Sequence, residues 1–201
     1  MSSRQPTPDR YMNQPLDFLN RHSTPASLMA EPGPDSEQLK QILEAAMSAP
    51  DHGRIQPYRF ISIRGEGRKA LSDVFGEACQ RRDPNVSAVY LKKQRDKPLR
   101  APLIVVVVAT LIESQKIPEI EQMLCAGAVA HNILLGANAM GFGSIWLTGD
   151  NAHDDGVCAA LGLAGNEKII GFIYLGTETG KLNPRQQPNL DAKLSDWQGP
   201  K

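Results

Sequence analysis

From residue 35 to residue 50 the apolar residues Leu39, Ile42, Leu43, Ala46 and Met47 recur at helical spacing, the pattern of a helix that buries one face. Asp35 stands three residues ahead of Gln38, which predicts a capping box, and Ala49-Pro50 ends the helix. Upstream, Leu16, Phe18 and Leu19 predict a shorter helix. Ser23-Thr24-Pro25 should terminate it, because the residue before a proline is disfavoured in the helical region. The period then changes. Residues 58–63 (YRFISI) are aromatic and β-branched and are followed by Gly65-Glu66-Gly67, so a strand is expected. A helix follows with Ala70, Leu71, Val74, Phe75 and Ala78 inward. Residues 103–109 form a continuous run of mainly β-branched residues, as in a central strand buried on both faces. Residues 120–140 read as a long helix, apolar nearly all round and expected to be the innermost, with Gly141 placed for a left-handed cap. Residues 144–147 and 169–175 complete four strands, with a small helix near 157–161 between them and a polar surface tail from Thr177. Helices and strands mixed in this order predict an α/β or α+β arrangement of helices on a sheet.

The 201 residues fit one domain, spanning 16–201, behind a polar, proline-rich stretch at 1–15 that lacks the apolar segment of a secretory signal and reads as a mobile tail. Twenty-two basic residues balance 22 acidic ones. That removes the long-range attraction on which a general nucleic-acid or anionic-membrane binder relies, so any bound anion must be held by local geometry. Cys79, Cys125 and Cys158 are odd in number and far apart. They suggest neither a disulfide framework nor a thiolate metal site, and three free thiols fit a reducing, cytoplasmic setting. Residues 122–149 carry no Asp, Glu, Lys or Arg and are nominally long enough to cross a bilayer. His131, Asn132 and Asn138 lie along this stretch and Gly141-Phe142-Gly143 interrupts it, which suits a core or a subunit interface and not a membrane span. Residues 81–100 hold seven basic residues against Asp83 and Asp96, and are taken as a solvated basic helix face in preference to a phosphate-reading patch.

Most familiar catalytic signatures fail on spacing. Gly141-Phe142-Gly143 continues to Trp146 where a dinucleotide fingerprint needs a third small residue, and there is no G-x-x-x-x-G-K-[ST], G-x-S-x-G or H-E-x-x-H. His22, His52, His131 and His153 never reach metal-ligand spacing. His131 is expected to be a core histidine bonded to backbone, and Asp154-Asp155 to be loop neighbours facing water. Three groups remain. Arg21-His22-Ser23 at a helix end offers a guanidinium, an imidazole and a hydroxyl, chemistry suited to a phosphate. Ala49-Pro50-Asp51-His52 leads into Gln56-Pro57-Tyr58 at the edge of a strand, where polar side chains could line a pocket. In residues 141–149 the glycines would let backbone approach a flat ring, with Trp146 and Thr148 supplying stacking area and a hydroxyl.

Together these groups, with R-A-P-L-I-V-V-V, K-I-P...E-Q and G-F-I-Y-L-G-T, resemble the small members of the FMN-dependent nitroreductase family over residues 16–180. The resemblance implies a nitroreductase-like α+β fold, a central mainly antiparallel sheet flanked by helices, in a domain-intertwined homodimer. It implies an oxidoreductase that takes hydride from NADH or NADPH onto FMN and passes electrons to nitroaromatic, quinone-like or similar flat acceptors. Carried over by position, Arg21, His22 and Ser23 would hold the FMN phosphate and ribityl region, Ser48 and His52 would touch the flavin, and Trp146, Leu147 and Thr148 would line it. Lys181 and Arg185 are further cationic candidates. Small members carry arginines where His22 and Ser48 stand, and larger ones an asparagine at Arg54, so this chain offers fewer fixed positive charges. Because the chemistry rests on the flavin, no side chain need act as acid or base. The alternatives are another flavin reaction in the same fold, such as reductive dehalogenation, or a non-catalytic protein that stores or senses FMN. The uncharged helix, with Gly127, Ala128 and Ala130, then reads as the core of a dimer interface. Neither nucleic acid nor membrane is expected as a partner.

Overall fold

Strand β3 (Leu103–Thr110) organises the molecule, since Leu103 through Ala109 are buried without exception. Its side chains alternate between two cores, as the two-residue period of a strand requires. Ile104, Val106 and Val108 join Leu71, Phe75, Phe172 and Tyr174 on one face. Leu103, Val105 and Val107 join Ile42, Val129, Ile133 and Ile173 on the other. The computed structural model describes Leu19 and residues 23–182 and 188–200. The expectations for the 1–15 tail, for the helix around Leu16 and Phe18, and for Arg21, His22 and Arg185 lie outside the described residues. Ser23, Thr24 and Pro25 are non-helical, as the proline requires.

Five strands form the sheet: β1 (Met29–Ala30), β2 (Tyr58–Arg64), β3, β4 (Gly143–Leu147) and β5 (Glu167–Glu178). The order is β1-β5-β3-β2, with β4 also on β5, and every pairing is antiparallel. β1 is the strand that the hydrophobic pattern missed; two residues are too few to show a period. Residues 172–176 of β5 pair with β4 and its last two with β1, so these two short strands share the edge away from β3.

Helix α1 (Ser36–Ala46) begins with the expected capping box: Asp35 accepts from the Gln38 N–H, and the Gln38 side chain accepts from the Asp35 N–H. Helix α2 (Glu66–Arg82) lays Leu71, Phe75 and Ala78 on the sheet, and the Phe75 ring meets Phe172 edge-on at 5.3 Å. The basic stretch is not one helix. The last residues of α2, a turn at 83–87, helix α3 (Ala88–Asp96) and a 3-10 turn at Lys97–Arg100 divide it, because Ser87 caps a new helix and Pro98 ends it.

Asp154 also departs from expectation. Its side chain is nearly buried, accepts from the Val157 N–H at the start of α5 (Asp155–Ala160), and pairs with Arg81 and Arg82 at 2.9 and 2.5 Å. Burial opposes its ionisation, yet that N–H and the two guanidiniums hold its carboxyl below the ordinary value.

Helix α4 (Glu119–Ala139) packs on the α1 side of the sheet and ends at Gly141, whose φ of 81° is the left-handed cap expected there. By length and composition it could cross a membrane, but eight of its residues, from Gln122 to Ala137, are buried within this chain. Its opposite face is open and mostly apolar. Ile120 and Leu124 are 63% and 64% exposed, and His131 lies exposed on the same face instead of in the core. At about 100° per residue, positions 120, 124, 131, 135 and 138 form one stripe.

Candidate functional site

Helix α4 has predicted site residues on both flanks of its open face. On one flank, Asn132 donates to the Ala46 carbonyl (3.3 Å), tying down the end of α1 and so the position of Ser48. Ser48 is exposed and its hydroxyl donates to the Ala45 carbonyl (2.8 Å). The chain then turns through residues 51–57. The Asp51 carboxylate accepts from the Ile55 and Gln56 N–H groups, at 3.2 and 2.8 Å. Arg54 and Gln56 sit at φ 54° and 48°, beside Gly53 at 74°. Two bulky residues in the left-handed region within three positions store backbone strain of the kind that clusters at functional sites. His52 leaves this loop exposed and meets Glu121 of α4, Nδ1 to Oε2 at 2.5 Å.

On the other flank lies β4. Trp146 crosses to α4 at Gly127 and donates its indole N–H to the Ile170 carbonyl (3.2 Å). The ring rests on Gly171, where an added Cβ would lie 2.0 Å from the indole nitrogen, so only glycine permits this packing. Leu147 points the opposite way and packs against the core on the α2 side, leaving only its backbone for the site. Thr148 is exposed just beyond the strand. Ser23 is exposed too, and is placed at the start of β4 by the adjacent Thr24, whose N–H donates to the Ser144 carbonyl (3.0 Å). Lys181 is exposed past β5.

The predicted residues therefore fall in two groups. Ser48 and His52 stand on one flank of the α4 face, with Trp146 and Thr148, and with Ser23 at the head of β4, on the other. Within one chain the helix separates them.

Several residues here had been assigned no role from sequence. Gln122, 1% exposed, grips the 112–117 segment: its side-chain amide donates to the Ile112 and Ile117 carbonyls and its Oε1 accepts from the Ile112 N–H. Glu121 orients His52. Both belong to the K-I-P...E-Q pattern, which named the motif without saying what its polar residues hold. Tyr58 and Cys125 lie near Asp51. Burial, then the neighbouring Cys125 and Asp51, pushes the Tyr58 hydroxyl up, and burial, then Asp51, does the same to the Cys125 thiol. Both stay protonated at neutral pH. Among the described residues no three His, Cys, Asp or Glu side chains converge to hold a metal. The arrangement suits binding and orientation.

The profile of the Nitroreductase family matches residues 19–177. The chain is 43% identical over 160 residues to the "Putative NAD(P)H nitroreductase YdjA" of Escherichia coli strain K12, covering 80% of this chain and 85% of that protein. Among solved structures it resembles a nitroreductase-like family protein from Bacillus cereus, with a TM-score of 0.78 and 21% identity, over 92% of this chain and 96% of the other. It also resembles a mutant of the "FMN and NADPH-dependent nitroreductase NfnB" from Sphigopyxis sp. strain HMH, with a TM-score of 0.71 and 18% identity, over 92% and 98%. At those identities the two structures share its fold.

Proposed function

This chain belongs to the nitroreductase family of oxidoreductases, and from that premise we propose that it binds FMN, takes reducing equivalents from NADH or NADPH and passes them to flat acceptors such as nitroaromatics or quinones. What supports the proposal is that the predicted binding residues fall in two groups beside an open apolar helix face, which we read as two half-sites. A second copy docked by its own α4 would bring one copy's Ser48 and His52 towards the other's Ser23, Trp146 and Thr148. The working unit is thus a homodimer with two sites, each built from both chains.

The residues present fit FMN. Ser23, Ser48, His52 and Thr148 are exposed polar groups beside the half-sites, the strained 51–57 loop is braced by Asp51, and Trp146 supplies a half-buried ring. Arg21 and His22, adjoining Ser23, would meet the phosphate, with Lys181 and Arg185 as further cations. FMN supplies the electron carrier between donor and acceptor. The chain's own work is to bind, orient and exclude water. Glu121 fixes the His52 ring, Gln122 holds the neighbouring 112–117 segment, and Trp146, bonded to Ile170, forms a fixed wall. Tyr58 and Cys125, kept neutral by burial and by Asp51, add no charge to this region. The three cysteines are free, two of them buried, which suits the cytoplasm.

Fluorescence titration with FMN tests this reading. The protein takes up FMN and releases it on denaturation, and Arg21→Ala weakens retention by about tenfold, the worth of one charge-assisted contact, with unfolding temperature and oligomeric state unchanged. Unaltered retention would remove Arg21 from the phosphate site.

A further inference from the structure

The loop that carries His52 is shaped by two consecutive side chains of α4. Gln122, 1% exposed, holds the Ile112 and Ile117 carbonyls and the Ile112 N–H. Ile117 in turn packs against Gly53, where an added Cβ would stand 2.5 Å from its Cδ1. Glu121 turns outward and meets His52, Oε2 to Nδ1 at 2.5 Å. Among the described residues the other ring nitrogen, Nε2, has no hydrogen-bond partner.

The contact with Glu121 decides which nitrogen of His52 carries the hydrogen. A carboxylate at neutral pH only accepts, so the hydrogen between the two atoms sits on Nδ1. In the neutral ring Nε2 is then bare, an acceptor and not a donor. Glu121 stands in the first turn of α4, where the helix dipole favours a negative charge. The His52 and Glu121 side chains are 59% and 43% exposed, and a pair so open to water adds little to stability. Its consequence is orientation. The same loop holds Arg54 and Gln56 at positive φ, braced by Asp51, so backbone and ring are both fixed before a ligand arrives.

We propose that Glu121 is a positioning residue for the cofactor ring: by fixing the Nδ1–H tautomer of His52 it presents Nε2 as an acceptor to the flavin N3–H, the one N–H that the oxidised ring carries. The assignment rests on the FMN reading above and adds to it the polarity of one hydrogen bond and a residue that itself touches no cofactor. Glu121 acts through the His52 ring, and Gln122, through Ile117, holds the loop beneath it. Without the carboxylate the hydrogen is free to move to Nε2, which turns the acceptor into a donor facing another donor.

Nitrogen-15 NMR of the full-length protein, at a pH where the ring signals show His52 neutral, reads the tautomer with no flavin present. The parent carries the hydrogen on Nδ1, and Glu121→Ala moves it largely to Nε2 while the unfolding temperature stays the same. With nitrogen-15-labelled FMN added, the parent shows a scalar coupling across the hydrogen bond between flavin N3–H and His52 Nε2, and Glu121→Ala loses it. Fluorescence titration then finds FMN bound about fivefold more weakly by Glu121→Ala, the worth of one hydrogen bond. A parent His52 with its hydrogen on Nε2, a tautomer indifferent to Glu121→Ala, or bound FMN without the coupling overturns the proposal. A tautomer set by Glu121 in a protein that takes up no FMN supports the positioning of His52 and removes the FMN reading. FMN uptake with a tautomer that ignores Glu121 does the reverse.

Discussion

Replacing Leu124 with Asp is the sharpest structural perturbation of the proposed dimer. Leu124 is 64% exposed in the single chain, at the centre of the open α4 stripe. Full burial of a leucine side chain is worth about 1.5–3 kcal/mol, so covering the two-thirds now open gives about 1–2 kcal/mol. A two-fold axis repeats the contact, so about 2–4 kcal/mol of dimer stability resides at this position. Leu124→Ala forfeits most of that, raising the dimer dissociation constant by about 30- to 1,000-fold. Leu124→Asp also forces two carboxylates into an apolar contact, each costing several kcal/mol more, and leaves the dimer undetectable at micromolar concentration. The folded single chain loses almost nothing, because an exposed position away from caps and ion pairs moves stability by about 0.5 kcal/mol at most. Sedimentation equilibrium reads the outcome: the parent runs at twice 21.9 kDa and Leu124→Asp at once that mass, with an unchanged far-ultraviolet spectrum and lost FMN retention. A parent protein that sediments as a single chain, or a Leu124→Asp protein that stays dimeric, refutes the argument that α4 is the interface.

Other consequences follow from single contacts. Arg59 grips Glu167 at 2.6 and 2.7 Å, and this hydrogen bonding, opposed by burial, lowers the Glu167 carboxyl from 4.5 to about 2. A depressed carboxyl stabilises the fold above its unfolded pKa, and the contribution fades as pH falls from about 4.5 towards 2; urea denaturation across that window should show about 2–3 kcal/mol of acid sensitivity that Glu167→Gln lacks. Gly171→Ala places a methyl where the Trp146 indole now sits. It should shift the indole off the Ile170 carbonyl, cost about 1–3 kcal/mol and change the tryptophan emission; an unaltered emission would mean the ring is not held as described. Asp154→Asn removes the charge shared by Arg81 and Arg82 at the start of α5, and thermal unfolding should report a loss of about 1–3 kcal/mol.

The layers of the fold were legible because each rests on a period. The continuous apolar run of β3, the helical spacing in α1 and the cap at Gly141 are local features, and local sequence specifies them. What was missed depends on partners far along the chain. Asp154 and Asp155 look like exposed neighbours until α2 delivers Arg81 and Arg82 from more than 70 residues away. His131 sits in an apolar run, and nothing in that run says which side of the helix the sheet will cover. Leu147 and Trp146 are adjacent in sequence, and strand geometry alone sends them to different cores. The motif residues were recognisable together yet stand in two groups beside α4 in one chain; in the proposed homodimer a second copy would supply the other half.

The central claim is a flavin reduced by a nicotinamide donor and reoxidised by a flat acceptor. Anaerobic absorbance of the FMN-loaded protein tests it in one cuvette: the yellow colour bleaches on adding NADH or NADPH and returns on adding a nitroaromatic or a quinone. A protein that takes up no FMN, or one whose bound flavin stays oxidised in excess of both donors, contradicts the account.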